Sequence, residues 1–227
     1  MNEEEVRRIL SRVGAFITDG HFIYTSDKHG SKYINKDAIY PHTEEVSRLC
    51  RGIADKFIGD SVEVVIAPAI GGVILSQWVA HWLTKMTGRE VLSTYAEKEG
   101  MELVSSSCGT LPPRYEDIFV IKRGYDKLIF GKNILVVEDI LTTGGTVKKV
   151  VKITRDFGVN VIGVGALFNR GFVLSKDVGD ILKVVSLMNL RFDSWDREVC
   201  PLCAKGILVN TEVGKGHSSH LRKKLSI

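Results

Sequence analysis

Apolar residues recur along this chain with two different periods, and the order of these periods predicts the order of helices and strands. Val6, Ile9, Leu10 and Val13 are spaced three or four apart and predict an amphipathic helix with an acidic first turn. A second helix is predicted after Thr43, a capping residue, with an apolar face of Val46, Leu49, Ile53 and Phe57. Between them, residues 16–40 form an irregular segment rich in Gly, Lys, His and Tyr.

From residue 62 onward, short and nearly continuous apolar runs alternate with longer helical patterns. The predicted strands cover residues 62–67, 91–95, 118–121, 133–137, 160–168 and 181–187. Helices are predicted over residues 72–86 and 146–157, and residues 100–117 interrupt the alternation as a mobile excursion. Apolar strands separated by helices are typical of a parallel sheet that is covered on both faces. The predicted class is therefore α/β, with a mostly parallel sheet flanked by helices.

Composition narrows the classes of protein that this pattern allows. The chain has 227 residues, 44% of them hydrophobic and 26% charged, which suits one large globular domain with appendages. A net charge of +4 does not by itself indicate a nucleic-acid partner. The longest apolar region, residues 62–83, is interrupted by proline, glycine and polar residues, and residues 1–15 do not resemble a secretion signal. Four cysteines do not suggest a disulfide scaffold, so we expect a cytoplasmic protein without a membrane partner.

Residues suited to ligand binding follow the predicted strand over residues 133–137, beginning with Glu138 and Asp139. Ligands of open parallel sheets bind beyond the carboxyl ends of the strands, where two adjacent carboxylates can accept hydrogen bonds from vicinal hydroxyls. The next residues form a turn of small and hydroxylated side chains before a helix: Thr142, Thr143, Gly144, Gly145 and Thr146. Converging backbone N–H groups and a helix N-terminus suit a phosphate. Together the two halves predict a site for a pentose 5-phosphate.

The run from the apolar strand through Glu138-Asp139 to Thr-Thr-Gly-Gly-Thr resembles the phosphoribosyl-pyrophosphate (PRPP) motif of type I phosphoribosyltransferases. The resemblance implies catalytic roles for Glu138 and Asp139. It also implies that Glu138, Asp139, Leu141 and residues 142–146 bind the ribose 5-phosphate of PRPP. Mg²⁺ would arrive with PRPP, and Asp139 is a candidate ligand for it.

Three further segments are similar to orotate phosphoribosyltransferases, and the first is residues 19–40, "DGHFIYTSDKHGSKYINKDAIY". In that family this segment covers the base. The similarity assigns Lys28 as its basic residue and assigns Tyr33, Ile34 and Asn35 to the lining of the base, on which an aromatic ring can stack. A solvated basic hairpin is the alternative interpretation.

The second segment, "APAIGGV" at residues 67–73, resembles the pyrophosphate loop of the family. It implies pyrophosphate binding by Ala69, Ile70, Gly71 and Gly72 through backbone N–H groups. The family often has a cis peptide at the position of Ala69-Ile70. Many orotate enzymes have a lysine where this chain has Gly71, which removes one positive charge from the predicted site but leaves the backbone donors.

The third segment comprises "TYAEKEG" and "FVIKRGYDK", residues 94–100 and 119–127, and resembles a hood whose basic residues reach the pyrophosphate. Lys98 aligns with a catalytic lysine, Lys122 and Arg123 with a basic pair, and Lys127 is a weaker candidate. In the family these residues often serve the neighbouring subunit, which implies a homodimer with shared active sites. Charged edge strands are the alternative interpretation. Arg170 matches an arginine that pairs with the orotate carboxylate, which a guanidinium binds in two-point fashion.

The resemblance implies transfer of a phosphoribosyl group from PRPP to orotate, giving orotidine 5′-monophosphate and pyrophosphate. Two alternatives stay open: a phosphoribosyltransferase for another base, such as a purine, and a non-catalytic regulator that binds PRPP. The expected organisation is an N-terminal helix and base-covering segment (residues 1–40), a core (41–195) and a C-terminal tail (196–227).

The tail contains Cys200-Pro-Leu-Cys203, the spacing of half a zinc site, with His217 and His220 downstream as candidate partners. One CxxC is weak support, and the sequence favours a reduced turn without metal. Cys50 and Cys108 are interpreted as a core residue and a loop thiol. His21, His29 and His42 are interpreted as surface or structural groups as readily as catalytic ones.

Overall fold

The structure, a computed structural model, describes residues 1–24, 26–105 and 114–214. Its residues form two compact units. The first unit contains Thr43–Asn189 together with Met1, and the second joins Asn2–His42 with the C-terminal segment that begins at Leu190.

The helices of the described residues are α1 (Glu3–Arg12), α2 (Thr43–Ala54), α3 (Gly71–Thr87), α4 (Tyr125–Ile129), α5 (Gly145–Arg155) and α6 (Pro201–Ala204). The strands are β1 (Phe16–Ile17), β2 (Phe22–Ile23), β3 (His29–Gly30), β4 (Tyr33–Ile34), β5 (Val64–Pro68), β6 (Leu92–Ser105), β7 (Arg114–Val120), β8 (Asn133–Leu141), β9 (Asn160–Asn169) and β10 (Val184–Asn189). Short 3₁₀ turns cover Lys36–Ala38, Ser175–Val178 and Arg197–Val199. None of the described helices has the length and apolar content needed to span a membrane.

The first unit is built on a six-stranded sheet with the strand order β10-β9-β8-β5-β6-β7. The five strands from β10 to β6 pair in parallel, and β7 pairs antiparallel with β6 at one edge. The predicted mostly parallel sheet flanked by helices is therefore confirmed.

Alternate residues of the central strands are buried on opposite faces of this sheet. On one face, Val64, Ile134 and Val164 belong to an apolar cluster that also contains Val147, Val150 and Val151 of α5. On the other face α2 and the turn after it pack closely on β9. A Cβ at Gly163 would lie 2.4 Å from the Phe57 ring, and a Cβ at Gly165 would lie 2.7 Å from Ile53. Strands buried on both sides explain the nearly continuous apolar runs.

The prediction that residues 100–117 form a mobile excursion is wrong for most of the residues in this range that the structure describes. β6 continues through residue 105 and β7 begins at residue 114, and the two strands pair from Glu97 opposite Val120 to Ser105 opposite Arg114. The antiparallel partner supplies hydrogen bonds to backbone groups that a lone excursion would leave to water, so the segment extends the sheet edge. We call β6 from Glu97 onward together with β7 the hood hairpin; residues 106–113 lie outside the described residues, as does Cys108.

The second unit brings together the two ends of the chain. Helix α1 begins with a capping box, in which the Asn2 side chain accepts from the Glu5 N–H at 2.9 Å and the Glu5 carboxylate accepts from the Asn2 N–H at 2.9 Å. The segment predicted to be irregular contains two short antiparallel pairs, β1 with β4 and β2 with β3. Trp195 of the C-terminal segment exchanges two backbone hydrogen bonds with His29, at 2.7 and 2.9 Å.

Candidate active site

The carboxyl ends of four neighbouring strands of the first unit meet at one edge of the sheet. Ile66 of β5 lies opposite Val136 of β8, so Pro68 at the end of β5 is level with Glu138. Pro68 also lies opposite Ala96 of β6, and Leu141 at the end of β8 lies opposite Asn169 of β9. This register brings the residues that follow these strands to the same edge, where open parallel sheets bind ligands.

The acidic pair, Glu138 and Asp139, lies within β8 rather than after it. The pairing of β8 with β5 stops at Val136, whereas the pairing with β9 continues to Leu141, and this one-sided pairing extends the strand beyond its predicted end at residue 137. Asp139 is only 4% exposed, and its Oδ1 accepts from the N–H of Ile140 at 2.6 Å. Glu138 Oε1 accepts from the Asp139 N–H at 3.0 Å. These bonds orient both carboxylates at the point where the neighbouring strand β5 ends.

Residues 142–146, the 142–146 loop, connect β8 to α5 and line one side of a concavity that also includes Glu138. Gly144 has a φ of +77°, which a residue with a side chain rarely adopts, and it is the N-cap of α5. Thr143 Oγ1 accepts from the Gly145 N–H at 3.3 Å. The side chain of Leu141 belongs to the core, so Leu141 anchors the start of the loop. The loop thus presents backbone N–H groups at the start of an 11-residue helix, a favourable arrangement for an anion.

The residues after β5, the 69–72 loop, lead directly into helix α3. The peptide bond between Ala69 and Ile70 is cis, as the family resemblance implied, and Ile70 is exposed. The Ala69 N–H donates to Ala96 O at 2.8 Å, which ties this loop to β6. A Cβ at Gly72 would lie 2.6 Å from the Cβ of Ala67, so only glycine permits α3 to begin this close to the strand.

Arg170 and Gly171 follow β9 and are held against the end of β8. Both backbone N–H groups donate to Leu141 O, at 2.9 and 3.1 Å. A Cβ at Gly171 would lie 1.4 Å from Thr142 O, so this position has no room for any side chain. Sequence reasoning identified Arg170 but missed Gly171, because the requirement comes from a loop 29 positions earlier that only the pairing of β8 with β9 brings close.

Lys98, Lys122 and Arg123, three of the predicted hood cations, lie on or just after the hood hairpin, and each is paired with a carboxylate of that hairpin. The weaker candidate, Lys127, lies in α4. Lys98 Nζ lies 2.6 Å from Asp117 Oδ1, and Lys122 Nζ lies 2.5 Å from Glu99 Oε1. Arg123 Nε donates to Glu97 Oε1 at 2.6 Å, and this hydrogen bond lowers the pKa of Glu97. These side chains are about half exposed, and exposed ion pairs are weak, so the cations can exchange partners at little cost.

The hood hairpin is tied to the helix that starts at the 142–146 loop. Lys149 of α5 lies 2.9 Å from Glu116 Oε2 and donates to Asp117 O at 2.9 Å. One concavity is lined by Asp117 and by Thr143, Gly145 and Thr146. Lys98, through its partner Asp117, therefore lies beside the loop of its own chain.

The residues predicted to line the base belong to the second unit. Lys28 Nζ lies 3.6 Å from Asp196 Oδ1, and Tyr33 stacks on Phe22 with ring centroids 5.3 Å apart. Ile34 is buried, and the Asn35 N–H donates to Ala15 O at 2.8 Å. These contacts show that the segment has a defined structure within its own unit.

The fold and the loop together define the class of protein. The sequence model of the family described as "Phosphoribosyl transferase domain" matches residues 35–199, about three quarters of the chain. A type I phosphoribosyltransferase has the same arrangement of a mostly parallel sheet and flanking helices that the first unit shows.

The chain belongs, more narrowly, to the orotate phosphoribosyltransferases. It is 35% identical over 207 residues to the orotate phosphoribosyltransferase of Thermoanaerobacter sp., an alignment that covers 91% of this chain and 95% of the relative.

Solved structures show the same fold across members that act on different bases. The orotate phosphoribosyltransferase of Aeropyrum pernix matches with a TM-score of 0.58 at 22% identity, covering 82% of this chain and 93% of the other. The adenine phosphoribosyltransferase of Thermoanaerobacter pseudethanolicus matches with a TM-score of 0.59 at 17% identity, covering 83% and 100%. At these identities the likeness concerns the fold alone, and it does not distinguish between bases.

Proposed function

We propose that this protein transfers the phosphoribosyl group of PRPP to orotate, with Mg²⁺, giving orotidine 5′-monophosphate and pyrophosphate in the cytoplasmic synthesis of pyrimidine nucleotides. One observation carries the proposal: the acidic pair, the 142–146 loop and Arg170 come together at the carboxyl edge of β8 and β9. Each of these three elements suits a different part of the two substrates.

The ribose 5-phosphate half of PRPP fits the end of β8. The backbone N–H groups of the 142–146 loop and the N-terminus of α5 would bind the 5-phosphate, since both favour negative charge. The carboxylates of Glu138 and Asp139 would accept hydrogen bonds from the ribose hydroxyls. The concavity that contains both Glu138 and the loop supports a single ligand spanning them.

The pyrophosphate half would lie towards the 69–72 loop and the hood hairpin. Backbone N–H groups of Ile70, Gly71 and Gly72 would be the donors there, since the Ala69 N–H already donates to Ala96 O and Gly71 brings no charge of its own. Lys98, Lys122 and Arg123 would leave their present carboxylate partners for the leaving group. The carboxylate oxygens of Asp139 are suitable ligands for Mg²⁺, which would supply positive charge to the diphosphate when bound.

Orotate differs from the other common bases by its carboxylate, and Arg170 is the residue suited to it. Its backbone is fixed by Leu141 beside the ribose-phosphate loop, so the guanidinium starts from a defined position. The family resemblance also assigns Lys28, Tyr33, Ile34 and Asn35 to the base, with the Tyr33 ring as the stacking surface.

In such a reaction the protein forms no covalent bond with the substrates. A ring nitrogen of the base bonds to C1 of the ribose while the bond from C1 to the pyrophosphate oxygen breaks, and the proton of that nitrogen passes to the released pyrophosphate or to solvent. The chain holds the two substrates in line and stabilises the charge that develops on the leaving group. Fixed N–H donors and cations are the means by which the sites described above would do so.

The hood hairpin would act within a homodimer that shares its active sites. Its cations emerge from an exposed edge of the sheet, with large apolar side chains of Met101, Leu103 and Tyr115 also exposed on it. An exposed apolar edge strand is suited to a second chain. The alternative arrangement, in which Lys98 serves its own chain, is also compatible with the position of Asp117.

A non-catalytic PRPP-binding regulator is the second candidate. Gly71 removes a charge from the pyrophosphate side, and all three hood cations are already paired. Because the pairs are exposed and exchangeable, this observation weakens the main proposal only slightly.

A substrate screen separates the candidates. Purified protein would be given PRPP and Mg²⁺ with orotate, uracil, adenine or hypoxanthine, and nucleotide and pyrophosphate formation would be measured. Turnover with orotate and little with uracil, which differs only in lacking the carboxylate, is the expected result. Turnover with a purine would establish the other base preference, and PRPP binding without turnover on any base would establish the regulator.

A further inference from the structure

Four side chains that could bind a metal converge in the second unit, and none of them is assigned to catalysis. The ring nitrogens of His21 and His29 and the sulfurs of Cys200 and Cys203 all lie within 4.8 Å of one another. Two of them come from the N-terminal segment and two from the C-terminal segment. His21, His29 and Cys200 are buried, so the group is an interior feature.

The separations are close to those of a tetrahedral site. Cys203 Sγ lies 3.3 Å from His29 Nδ1 and 3.7 Å from His21 Nε2, and Cys200 Sγ lies 3.8 Å from His21 Nε2. A tetrahedron with Zn–S of about 2.3 Å and Zn–N of about 2.0–2.1 Å places sulfur and nitrogen about 3.5 Å apart. His21 Nε2 and His29 Nδ1 are 2.7 Å apart and would separate to about 3.3 Å around an ion, a small movement of two rings.

The hydrogen bonding of His21 prepares it as a ligand. Its Nδ1 lies 2.7 Å from the carbonyl oxygen of Ile207, a position in which the ring N–H donates to the carbonyl. The other nitrogen, Nε2, then carries a lone pair directed at His29 and the two cysteines. A backbone carbonyl that orients a histidine in this way is a usual partner of metal-binding histidines.

The chemistry of the group also favours a cation. Imidazole nitrogens and cysteine sulfurs are the usual ligands of structural zinc. A divalent ion between them would compensate the negative charge of two neighbouring thiolates.

We propose that His21, His29, Cys200 and Cys203 form a structural zinc site. Four protein ligands leave no position open for water or substrate, which is the property of structural rather than catalytic zinc. A mononuclear ion fits better than a two-iron cluster with two histidines and two cysteines, in which each pair would bind a different metal and the pairs would lie further apart.

The site changes the interpretation of the CxxC motif. The sequence favoured a turn without metal, with His217 and His220 as the candidate partners for zinc, and both of these lie outside the described residues. In the structure the side chains beside the two cysteines are instead His21 and His29, which from sequence alone are surface or structural groups as readily as catalytic ones. His21 precedes Cys200 by 179 positions.

Zinc would fasten the C-terminal segment to the β2–β3 hairpin. His21 precedes β2 and His29 begins β3, while Lys28, a residue proposed for the base site, lies between them. Backbone bonds already connect the two segments, from His29 to Trp195 and from Asn210 to His21 O at 2.7 Å. Two-stranded pairs of this length are marginal alone, so an ion that crosslinks them would add most of their stability.

Metal analysis of the reduced, full-length protein tests the proposal without any substrate. We expect about one zinc ion per chain by elemental analysis, and substitution with Co²⁺ should give the visible bands of tetrahedral cobalt together with thiolate charge-transfer absorption. Iron in place of zinc, or no stoichiometric metal after reconstitution with Zn²⁺, would overturn the assignment, as would a Co²⁺ spectrum without thiolate absorption.

Variants locate the ion. Cys200→Ser and His29→Ala should each weaken zinc retention against a chelator by at least about a hundredfold, since outer partners alone contribute ten- to a hundredfold. His42→Ala, an exposed histidine of the same unit, is the matched control and should retain zinc. Full zinc content in both ligand variants would place the metal elsewhere; if a variant does not fold, the wild-type stoichiometry and cobalt spectrum still decide.

A kinetic consequence depends on the proposed function. Removing zinc from the wild type should raise the KM for orotate more than the KM for PRPP, because the crosslinked hairpin belongs to the same unit as Lys28, Tyr33, Ile34 and Asn35, which are proposed for the base, whereas the 142–146 loop belongs to the other unit. Zinc binding with no orotate turnover would disprove the function and leave the metal site intact, so the two failures are distinguishable.

Discussion

At the scale of the residue, Asp139 combines burial with a position beside the end of β5, and this combination allows a sharp test. Asp139→Asn should preserve the fold, because an amide oxygen can still accept from the Ile140 N–H. It should lower kcat/KM for PRPP by about ten- to a hundredfold, the effect of losing a charge-assisted hydrogen bond worth about 1.5–3 kcal/mol. Steady-state kinetics and thermal unfolding would measure both quantities.

Asp55→Asn is the control, since Asp55 is an exposed aspartate just after α2. It should change neither the kinetics nor the stability. Wild-type PRPP kinetics in a folded Asp139→Asn protein would count against the assignment of the acidic pair.

Arg170 is the residue on which the choice of base depends. Arg170→Ala should raise the KM for orotate by about ten- to a hundredfold and the KM for PRPP much less, since only orotate loses a charge-assisted pair. Its preference for orotate over uracil should fall accordingly. Arg170→Lys keeps the charge without the two-point geometry and should be intermediate. Equal effects on both substrates would instead make the arginine structural or place it on the phosphate side.

The residues of the candidate site could be identified from sequence where their chemistry is local. Glu138, Asp139 and the Thr/Gly turn are contiguous, so their spacing alone indicates a ribose and a phosphate site. Gly171 could not be found this way, because its need for glycine depends on Thr142 O across a strand pair. The partners of Cys200 and Cys203 were missed for the same reason, since His21 and His29 are remote in sequence.

At the scale of the element, the contact between the loops after β8 and β9 can be broken by one methyl group. Gly171→Ala would place a Cβ 1.4 Å from Thr142 O, a backbone atom, so the two loops must move apart. We expect a loss of about 1–3 kcal/mol in the free energy of unfolding, measured by urea denaturation. We also expect a raised KM for PRPP, because the displaced loop is the proposed phosphate site.

Gly59→Ala is the matched control, since a Cβ there would meet nothing within 4 Å and should cost little. Unchanged stability together with an unchanged KM for PRPP in Gly171→Ala would show that the two loops are not held in the arrangement described.

Element boundaries followed from sequence where one pattern dominated. The helix predicted over residues 72–86 is α3, Gly71–Thr87, and the strand over 160–168 is β9, Asn160–Asn169. Apart from residues 118–120, the hood hairpin was not predicted as strand, because its residues are largely polar and its strand character comes from pairing rather than from apolar periodicity. Helix α4 was missed because five residues carry too little pattern to recognise.

At the scale of the whole molecule, the proposed homodimer predicts complementation between two strongly impaired variants. Lys98→Ala and Asp139→Asn proteins would be mixed under conditions that exchange subunits. In a mixed dimer with shared sites, one site carries both lesions and the other carries none, so activity should return to about a quarter of wild type at random mixing. Steady-state activity before and after exchange provides the measurement.

Each variant incubated alone under the same conditions serves as the control and should keep its low activity. No recovery despite proven exchange would show that Lys98 serves the site of its own chain, the arrangement that its pairing with Asp117 also permits, or that Lys98 lies outside the site.

The grouping of the two chain ends into one unit could not be predicted from sequence. Residues 1–40 and 196–227 were expected as separate attachments to the core, since no pattern within either segment indicates the other. Folding is needed to form the backbone hydrogen bonds between His29 and Trp195 and to bring the four metal-binding side chains together. The division into three expected segments stays a prediction, alongside the two units that the structure shows.

That closure of the second unit sets an order of events during synthesis on the ribosome. The hairpin with His21 and His29 emerges early, but the residues that pair with it follow some 170 positions later, after the strands of the sheet have all been made. Domains tend to fold as they emerge, and two-residue strands do not hold together alone. A nascent chain halted just after Asn189 would therefore contain every strand of the sheet and an N-terminal segment whose C-terminal partners have not yet been made.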